Sequence, residues 1–143
     1  MAEGSEIKVS DVMTTDLVTA RPDEAVRDAA RKMAEAGVGS VLVVDEKGVL
    51  LGIITERDIV VRVVARGLDA SKTLVGEVMT RNPITIYDDA DLAAAAEYMM
   101  RKRIGHLPVV NSEGRLVGII SRSDIVRIAP SLIEVLFLRS AEA

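Results

Sequence analysis

The stretch Gly52-Ile53-Ile54-Thr55-Glu56-Arg57-Asp58-Ile59-Val60 decides the fold, because the chain repeats it as Gly118-Ile119-Ile120-Ser121-Arg122-Ser123-Asp124-Ile125-Val126. Extended outward, Asp11–Val60 lies over Glu77–Val126 without a gap, and 19 of the 50 paired positions are identical. Val12-Met13-Thr14 opens the first copy as Val78-Met79-Thr80 opens the second, and Val43-Val44 matches Val109-Val110. Self-similarity of this kind marks two copies of one supersecondary unit.

Each copy reads the same way. A short β segment, Leu17–Ala20 or Ile84–Tyr87, runs into a helix whose start is marked by Pro22-Asp23 or Asp88-Asp89, where carboxylates suit unpaired amides. Val26, Ala29, Ala30 and Met33 recur at helical spacing, as do Leu92, Ala95, Ala96 and Met99. Gly37 suits a left-handed stop. Two strands follow, Ser40–Val44 and Val49–Ile54, around the turn Asp45-Glu46-Lys47-Gly48. Their counterparts are Leu107–Val110 and Arg115–Ile120 around Asn111-Ser112-Glu113-Gly114. Near-continuous Val, Ile and Leu predict strands covered on both faces. A second helix begins after Thr55 or Ser121, so the unit is β-α-β-β-α and the class is α/β of the α+β type. One such unit cannot cover both faces of a three-stranded sheet, so the two copies are expected to pack on each other. Residues 1–67 are taken as the first repeat with its N-terminal segment, and 68–76 as a connector after a stop at Gly67. Residues 77–128 form the second repeat. Residues 129–143 form a closing helix broken near Pro130, with Leu132, Ile133, Leu136 and Phe137 docking on the body or on another subunit.

Composition excludes several chemistries. The 143 residues hold 49% hydrophobic and 28% charged side chains, a globular rather than disordered balance. A net charge of −4 argues against a whole-surface polyanion binder. With no Cys, disulfides, thiolate metal sites and cysteine nucleophiles are out, and a single His excludes a multi-histidine metal site within one chain. No Ser/His/acid set with recognisable spacing, Walker loop or Rossmann fingerprint is present, so an enzyme is not expected. No apolar stretch approaches the ~20 residues of a membrane span, and Met1-Ala2-Glu3-Gly4-Ser5-Glu6 has no signal-peptide core, so a cytoplasmic protein is expected.

The repeated Gly-x-x-(Thr/Ser)-x-x-Asp has two readings. In the structural one, Thr55 or Ser121 caps a helix and Asp58 or Asp124 is its reciprocal partner in a capping box. In the functional one, a strand ending at a helix start presents free amides to a phosphate, the hydroxyl donates to a phosphate oxygen, and the carboxylate accepts the two hydroxyls of a ribose. Arg57 and Arg122 stand beside these positions and can neutralise phosphate charge.

Here the chain resembles a tandem CBS-domain pair, or Bateman module, from Asp11 to Val126. The resemblance rests on the Val-Met-Thr openings, Gly39-Ser40 and Gly105-His106, Leu107-Pro108-Val109-Val110 and both Gly-h-h-(Thr/Ser)-x-x-Asp endings. The first copy departs from it with Val41-Leu42-Val43 where the second has Leu-Pro-Val. The resemblance implies pseudo-twofold packing of the repeats and two clefts that bind adenine nucleotides. It implies one cleft of Ile53, Ile54, Thr55, Arg57 and Asp58 with Met79, Ile84, Thr85, Gly105 and His106. The other would hold Ile119, Ile120, Ser121, Arg122 and Asp124 with Met13, Val18, Thr19, Gly39 and Ser40.

Several of these residues carry a second reading. Met13 and Met79 suit plain core as well as cleft lining. His106 is a surface or core residue, or a phosphate contact. Arg101-Lys102-Arg103 is a solvated helix end facing the negative dipole terminus, or a contact for a polyphosphate tail. With only three aromatics, Tyr87, Tyr98 and Phe137, an adenine is expected to lie among aliphatic side chains and backbone groups rather than on a ring. The implied function is a regulatory module that binds AMP, ADP or ATP, uses no cofactor and no metal, and signals energy state to a protein partner. A homodimer is expected. The alternatives are a nucleotide-independent scaffold and a binder of S-adenosylmethionine or nucleic acid, the last disfavoured by the charge and the scarce aromatics.

Overall fold

A computed structural model describes residues 7–138, the last two as backbone only. The chain divides into two units: residues 17–83 form one, and residues 84–138 with 7–16 form the other.

In the first unit, β1 (Thr19–Ala20) leads through α2 (Val26–Ala36) to β2 (Ser40–Val44), which lies parallel to β1 with Thr19 opposite Leu42. A right-handed crossover through a helix is the standard route between parallel neighbours. The turn after Val44 returns the chain as β3 (Leu50–Thr55), antiparallel to β2 with Ser40 opposite Thr55 and Val44 opposite Leu50. Asp45 Oδ1 holds that turn by accepting the Lys47 and Val49 amides at 2.8 and 2.9 Å. After β3 come α3 (Glu56–Ile59), a π-helical turn over Val60–Val64, α4 (Val75–Val78) and β4 (Thr80–Arg81). A four-stranded sheet results, in the order β1-β2-β3-β4. All of β2 is buried, as the run of Val and Leu predicts. Val26, Ala29 and Met33 from one face of α2 pack with Val41, Val43, Ile54, Val63, Val75 and Val78.

The second unit repeats the plan. Its strands β5 (Ile86–Tyr87), β6 (His106–Val110) and β7 (Leu116–Ser121) form a three-stranded sheet, with α5 (Leu92–Lys102) between β5 and β6 and α6 (Arg122–Ile128) after β7. Leu92, Ala95, Ala96 and Met99 of α5 are fully buried against Leu107, Val109, Ile120 and Ile125.

The sequence repeat is not the spatial unit. The short helix α1 (Val9–Val12) opens the first copy in sequence but packs in the second unit, where Val9 joins the core, the Val9 amide donates to Ala90 O, and Leu92 donates to Ile7 O. In the first unit α4 takes the same place: the Val75 amide donates to Glu24 O, and Val26 donates to Thr73 O at the start of α2. Each Val-Met-Thr stretch therefore lies on the sheet of the other sequence copy. Its close approach needs glycine. A Cβ on Gly52 would stand 2.6 Å from Met79 Sδ and 2.7 Å from Thr80 O, and one on Gly118 would stand 2.6 Å from Met13 Sδ and 3.0 Å from Thr14 O.

Other differences are local. The β segments shorten to Thr19–Ala20 and Ile86–Tyr87. Residues 68–76 are more than a connector, because Thr73 and Ala70 supply carbonyls to the first turn of α2 while Pro22-Asp23 supplies no side-chain cap. Gly37 ends α2 at φ 67, as expected, whereas α5 ends on Arg103 at φ 55, a left-handed residue with a side chain. The closing segment is a 3₁₀ turn, Pro130–Leu132, followed by a π-helical turn, Glu134–Leu138. Leu132 and Leu136 are buried in the second unit's core while Ile133 is exposed; the side chain of Phe137 and residues 139–143 lie outside the described residues. Among the described residues no helix is long and apolar enough to cross a membrane.

Candidate functional site

Both copies of Gly-x-x-(Thr/Ser)-x-x-Asp end a strand and begin a helix, and both form the capping box. The Thr55 amide donates to Asp58 Oδ2 at 2.9 Å, and the Asp58 amide donates to Thr55 Oγ1 at 3.2 Å. The Ser121 amide donates to Asp124 Oδ2 at 3.0 Å, and the Asp124 amide donates to Ser121 Oγ at 3.2 Å. The capping reading thus holds at both sites.

Capping occupies one carboxylate oxygen and leaves the other. Asp124 Oδ1 accepts from Arg127 Nη2 at 3.0 Å, and this arginine is 68% exposed against 15% for the aspartate. A pair with so exposed an arginine is held weakly and is readily exchanged for another partner. Asp58 Oδ1 instead lies 3.7 Å from Arg62 Nε, and Arg62 is tied down because its Nη1 donates to Val78 O at 3.0 Å and Met79 O at 3.3 Å.

The helix starts offer an anion fewer amides than the motif alone suggests. Glu56 N donates to Gly39 O at 3.0 Å and Arg122 N to Gly105 O at 2.8 Å, while the Asp58 and Asp124 amides serve the caps. An anion at either helix start would therefore have to rely on hydroxyls and cationic side chains rather than on these amides.

In the second unit those groups converge. A groove of about 470 Å³ is lined by Gly105, His106, Ser121, Arg122, Ser123 and Arg127, with Val126 at its side. The β6–β7 register sets His106 opposite Ser121. Ser121 Oγ lies 3.0 Å from Ser123 Oγ, and Arg122 Nη2 donates to Ile104 O at 3.3 Å, which lays its guanidinium over Gly105. The resemblance to CBS pairs allots Gly105 and His106 to the cleft of Asp58; the register makes His106 the neighbour of Ser121 and so of the Asp124 motif. In the first unit the same position pairs Ser40 with Thr55. Glu56 there occupies the place of Arg122, Arg57 that of Ser123 and Val61 that of Arg127.

The remaining sequence-predicted residues fall as follows. Met79 lies on the sheet that carries Ile53, and Met13 on the sheet that carries Ile119, through the glycine contacts above. Ile54 and Ile120 are fully buried in the cores of their units, which leaves their side chains no exposed surface for a ligand. Val18 and Thr19 are half-buried at β1, Gly39 precedes β2, and Ile84 and Thr85 precede β5, also half-buried. Ser123 and Arg127 escaped the sequence reading. Their signal was present in the spacing: Ser123 stands two residues after Ser121, and Arg127 three after Asp124 on the same helical face.

Comparison with known proteins agrees with the duplicated fold. The CBS domain model matches residues 9–65 and 75–131. The uncharacterized protein MK0525 of Methanopyrus kandleri is 37% identical over 127 residues, which cover 89% of this chain and 65% of that protein. This chain thus spans a little less than two thirds of that relative's length. The CBS domain protein PAE2072 from Pyrobaculum aerophilum, solved in complex with AMP, is similar with a TM-score of 0.79 and 29% identity, covering 96% of this chain and 100% of that one. The CBS domain pair of protein MJ0100, solved with 5′-methylthioadenosine and S-adenosyl-L-methionine, has a TM-score of 0.79 and 32% identity over 87% of this chain and 97% of that one. The protein belongs to the CBS domain family and carries two CBS domains in tandem.

Proposed function

We propose that this CBS pair is a regulatory module that binds an adenine nucleotide, AMP, ADP or ATP, and transmits its occupancy to a protein partner. The observation that carries this is the groove of the second unit, where two serine hydroxyls, His106, Arg122 and Arg127 line one space beside Asp124. Hydroxyls and guanidinium groups converging on one space suit a phosphate. Asp124 Oδ1, once Arg127 turns from it to the phosphate, is an acceptor for ribose hydroxyls while Oδ2 keeps the cap. AMP in PAE2072 supports the ligand class.

A second reading applies to the first unit's motif. Glu56 stands where Arg122 would be, and Arg62 is already engaged with two carbonyls, so an adenosyl ligand with a neutral or cationic tail suits Asp58 better than a polyphosphate. The S-adenosyl-L-methionine bound by MJ0100 is of that kind. We also propose a homodimer, supported by exposed Val60, Val61 and Val64 on one helical stretch, an apolar surface suited to a second copy.

Titration calorimetry with AMP, ATP and S-adenosylmethionine tests the assignment on Asp124→Asn and Arg122→Met. Asparagine retains a carbonyl oxygen for the cap but replaces the second acceptor with a donor. AMP affinity should fall about ten- to hundredfold in each variant, the scale for losing one charged hydrogen-bond partner. Unchanged affinity in both would remove the groove from the function.

A further inference from the structure

A second cavity lies at the other end of the first unit's sheet. The register sets Ser40 opposite Thr55 at the end that carries Asp58, and Val44 opposite Leu50 at the far end. There a cavity of about 370 Å³ has Pro22, Leu51, Leu74 and Met79 among its lining residues. Its volume falls in the range of small-molecule pockets, roughly 300–1,000 Å³. Glu77, Arg81 and Asn82, all exposed, line it as well.

Two side chains point to a ligand with both charges, and a third residue sets the turn beside them. Arg81 is exposed, and among the described residues its side chain makes no ion pair or hydrogen bond. Glu77 is fixed by accepting the Leu74 amide on Oε1 at 3.0 Å, which leaves Oε2 for a cation. Asn82 holds a left-handed φ of 47 and donates its amide to Leu51 O at 3.2 Å, which sets the turn that follows Arg81.

The duplication supplies an internal control. The same backbone approach is present in the second unit, where Ser10 N donates to Asp88 O as Gly76 N donates to Pro22 O, both at 2.9 Å. Yet the counterparts of Pro22, Leu74 and Arg81 there are Asp88, Lys8 and Thr15. Apolar side chains sharing a cavity with an unengaged arginine are therefore not something the fold requires.

We propose that this cavity binds a free α-amino acid with an aliphatic side chain. Arg81 takes the carboxylate, Glu77 takes the ammonium, and the side chain covers Leu51, Leu74 and Met79. A guanidinium binds a carboxylate through two parallel hydrogen bonds, which fixes the ligand's orientation as well as its charge.

Amide-resolved NMR of the full chain, titrated with L-leucine, tests this. Shifts should concentrate at Leu51, Gly76, Arg81 and Asn82. Arg81→Gln should weaken binding about tenfold or more, with the rest of its spectrum unchanged. Glu77→Gln, which retains an oxygen for the Leu74 amide, should remove the preference for leucine over 4-methylpentanoate, its analogue without the ammonium. Saturating AMP should leave the leucine shifts in place, so this site stands or falls apart from the nucleotide groove. No shifts at millimolar leucine, equal affinity in Arg81→Gln, or displacement by AMP would each overturn the proposal.

Discussion

Replacing Gly52 with alanine tests whether the packing of each Val-Met-Thr stretch on the opposite copy's sheet stabilises the unit in which it lies. The new Cβ would stand 2.6 Å from Met79 Sδ and 2.7 Å from Thr80 O, both closer than real Cβ contacts. Met79 is only 8% exposed, and Thr80 belongs to the two-residue edge strand β4, whose pairing is confined to Gly52 with Arg81 and Ile53 with Thr80. Relief therefore requires moving the edge strand. Overpacking of this kind costs about 3 kcal/mol. Alanine recovers up to about 1 kcal/mol over glycine inside a strand, so the net loss is about 2 kcal/mol. Gly118→Ala makes the gentler comparison, because its backbone neighbour, Thr14 O, is 3.0 Å away and the closer atom is the movable Met13 Sδ. It should cost about 1 kcal/mol by the same balance. Thermal unfolding followed by circular dichroism should show midpoints lower by about 8 °C for Gly52→Ala and about 4 °C for Gly118→Ala. A double-mutant cycle with Met13→Ala should recover nearly all of the Gly118 cost as coupling, whereas Met79→Ala should recover only part of the Gly52 cost. A midpoint for Gly52→Ala at or above wild type would refute the packing argument.

Other consequences are as direct. Arg103→Gly should stabilise the chain by about 1 kcal/mol in urea titrations, since a left-handed residue with a Cβ is strained and glycine is not. Leu136→Ala should cost about 2–5 kcal/mol because Leu136 is buried in the second unit's core, whereas Ile133→Ala should stay within about 0.5 kcal/mol. Burial tends to raise the Glu24 carboxyl, but hydrogen bonds from Lys32 and the Arg21 amide hold it below its ordinary 4.5. Its contribution is therefore complete above pH 4.5 and lost as pH falls through the lower folded value, so acid titration of Glu24→Gln should show a shallower decline in stability.

What the sequence made legible is what short-range physics controls. Periodic Val26, Ala29 and Met33 located α2, Gly37 its end, and Thr55-x-x-Asp58 a cap. Asp45 and Asn111, each followed three residues later by glycine, located the hairpin turns. What remained hidden depends on partners distant in sequence. Nothing local to Val75-Gly76-Glu77-Val78 shows that it packs on the preceding copy, or that Thr80-Arg81 adds a strand to that sheet, because two residues carry no detectable alternation. The helix amides looked free for a phosphate because the carbonyls that occupy them, Gly39 and Gly105, come from the neighbouring strand end. Arg103 at φ 55 breaks the rule that glycine marks such a stop, so the end of α5 was not readable from that signal. In the same way His106 became a neighbour of Ser121 only once the β6–β7 register was known.

A crystal structure of the full chain grown with AMP shows outright whether the second unit's groove holds the nucleotide. The phosphate should lie in the second unit's groove, within hydrogen-bond distance of Ser121 Oγ, Ser123 Oγ and a guanidinium of Arg122 or Arg127, with the ribose hydroxyls on Asp124 Oδ1. A nucleotide bound elsewhere, with the Asp124–Arg127 pair intact and the groove empty, would contradict it.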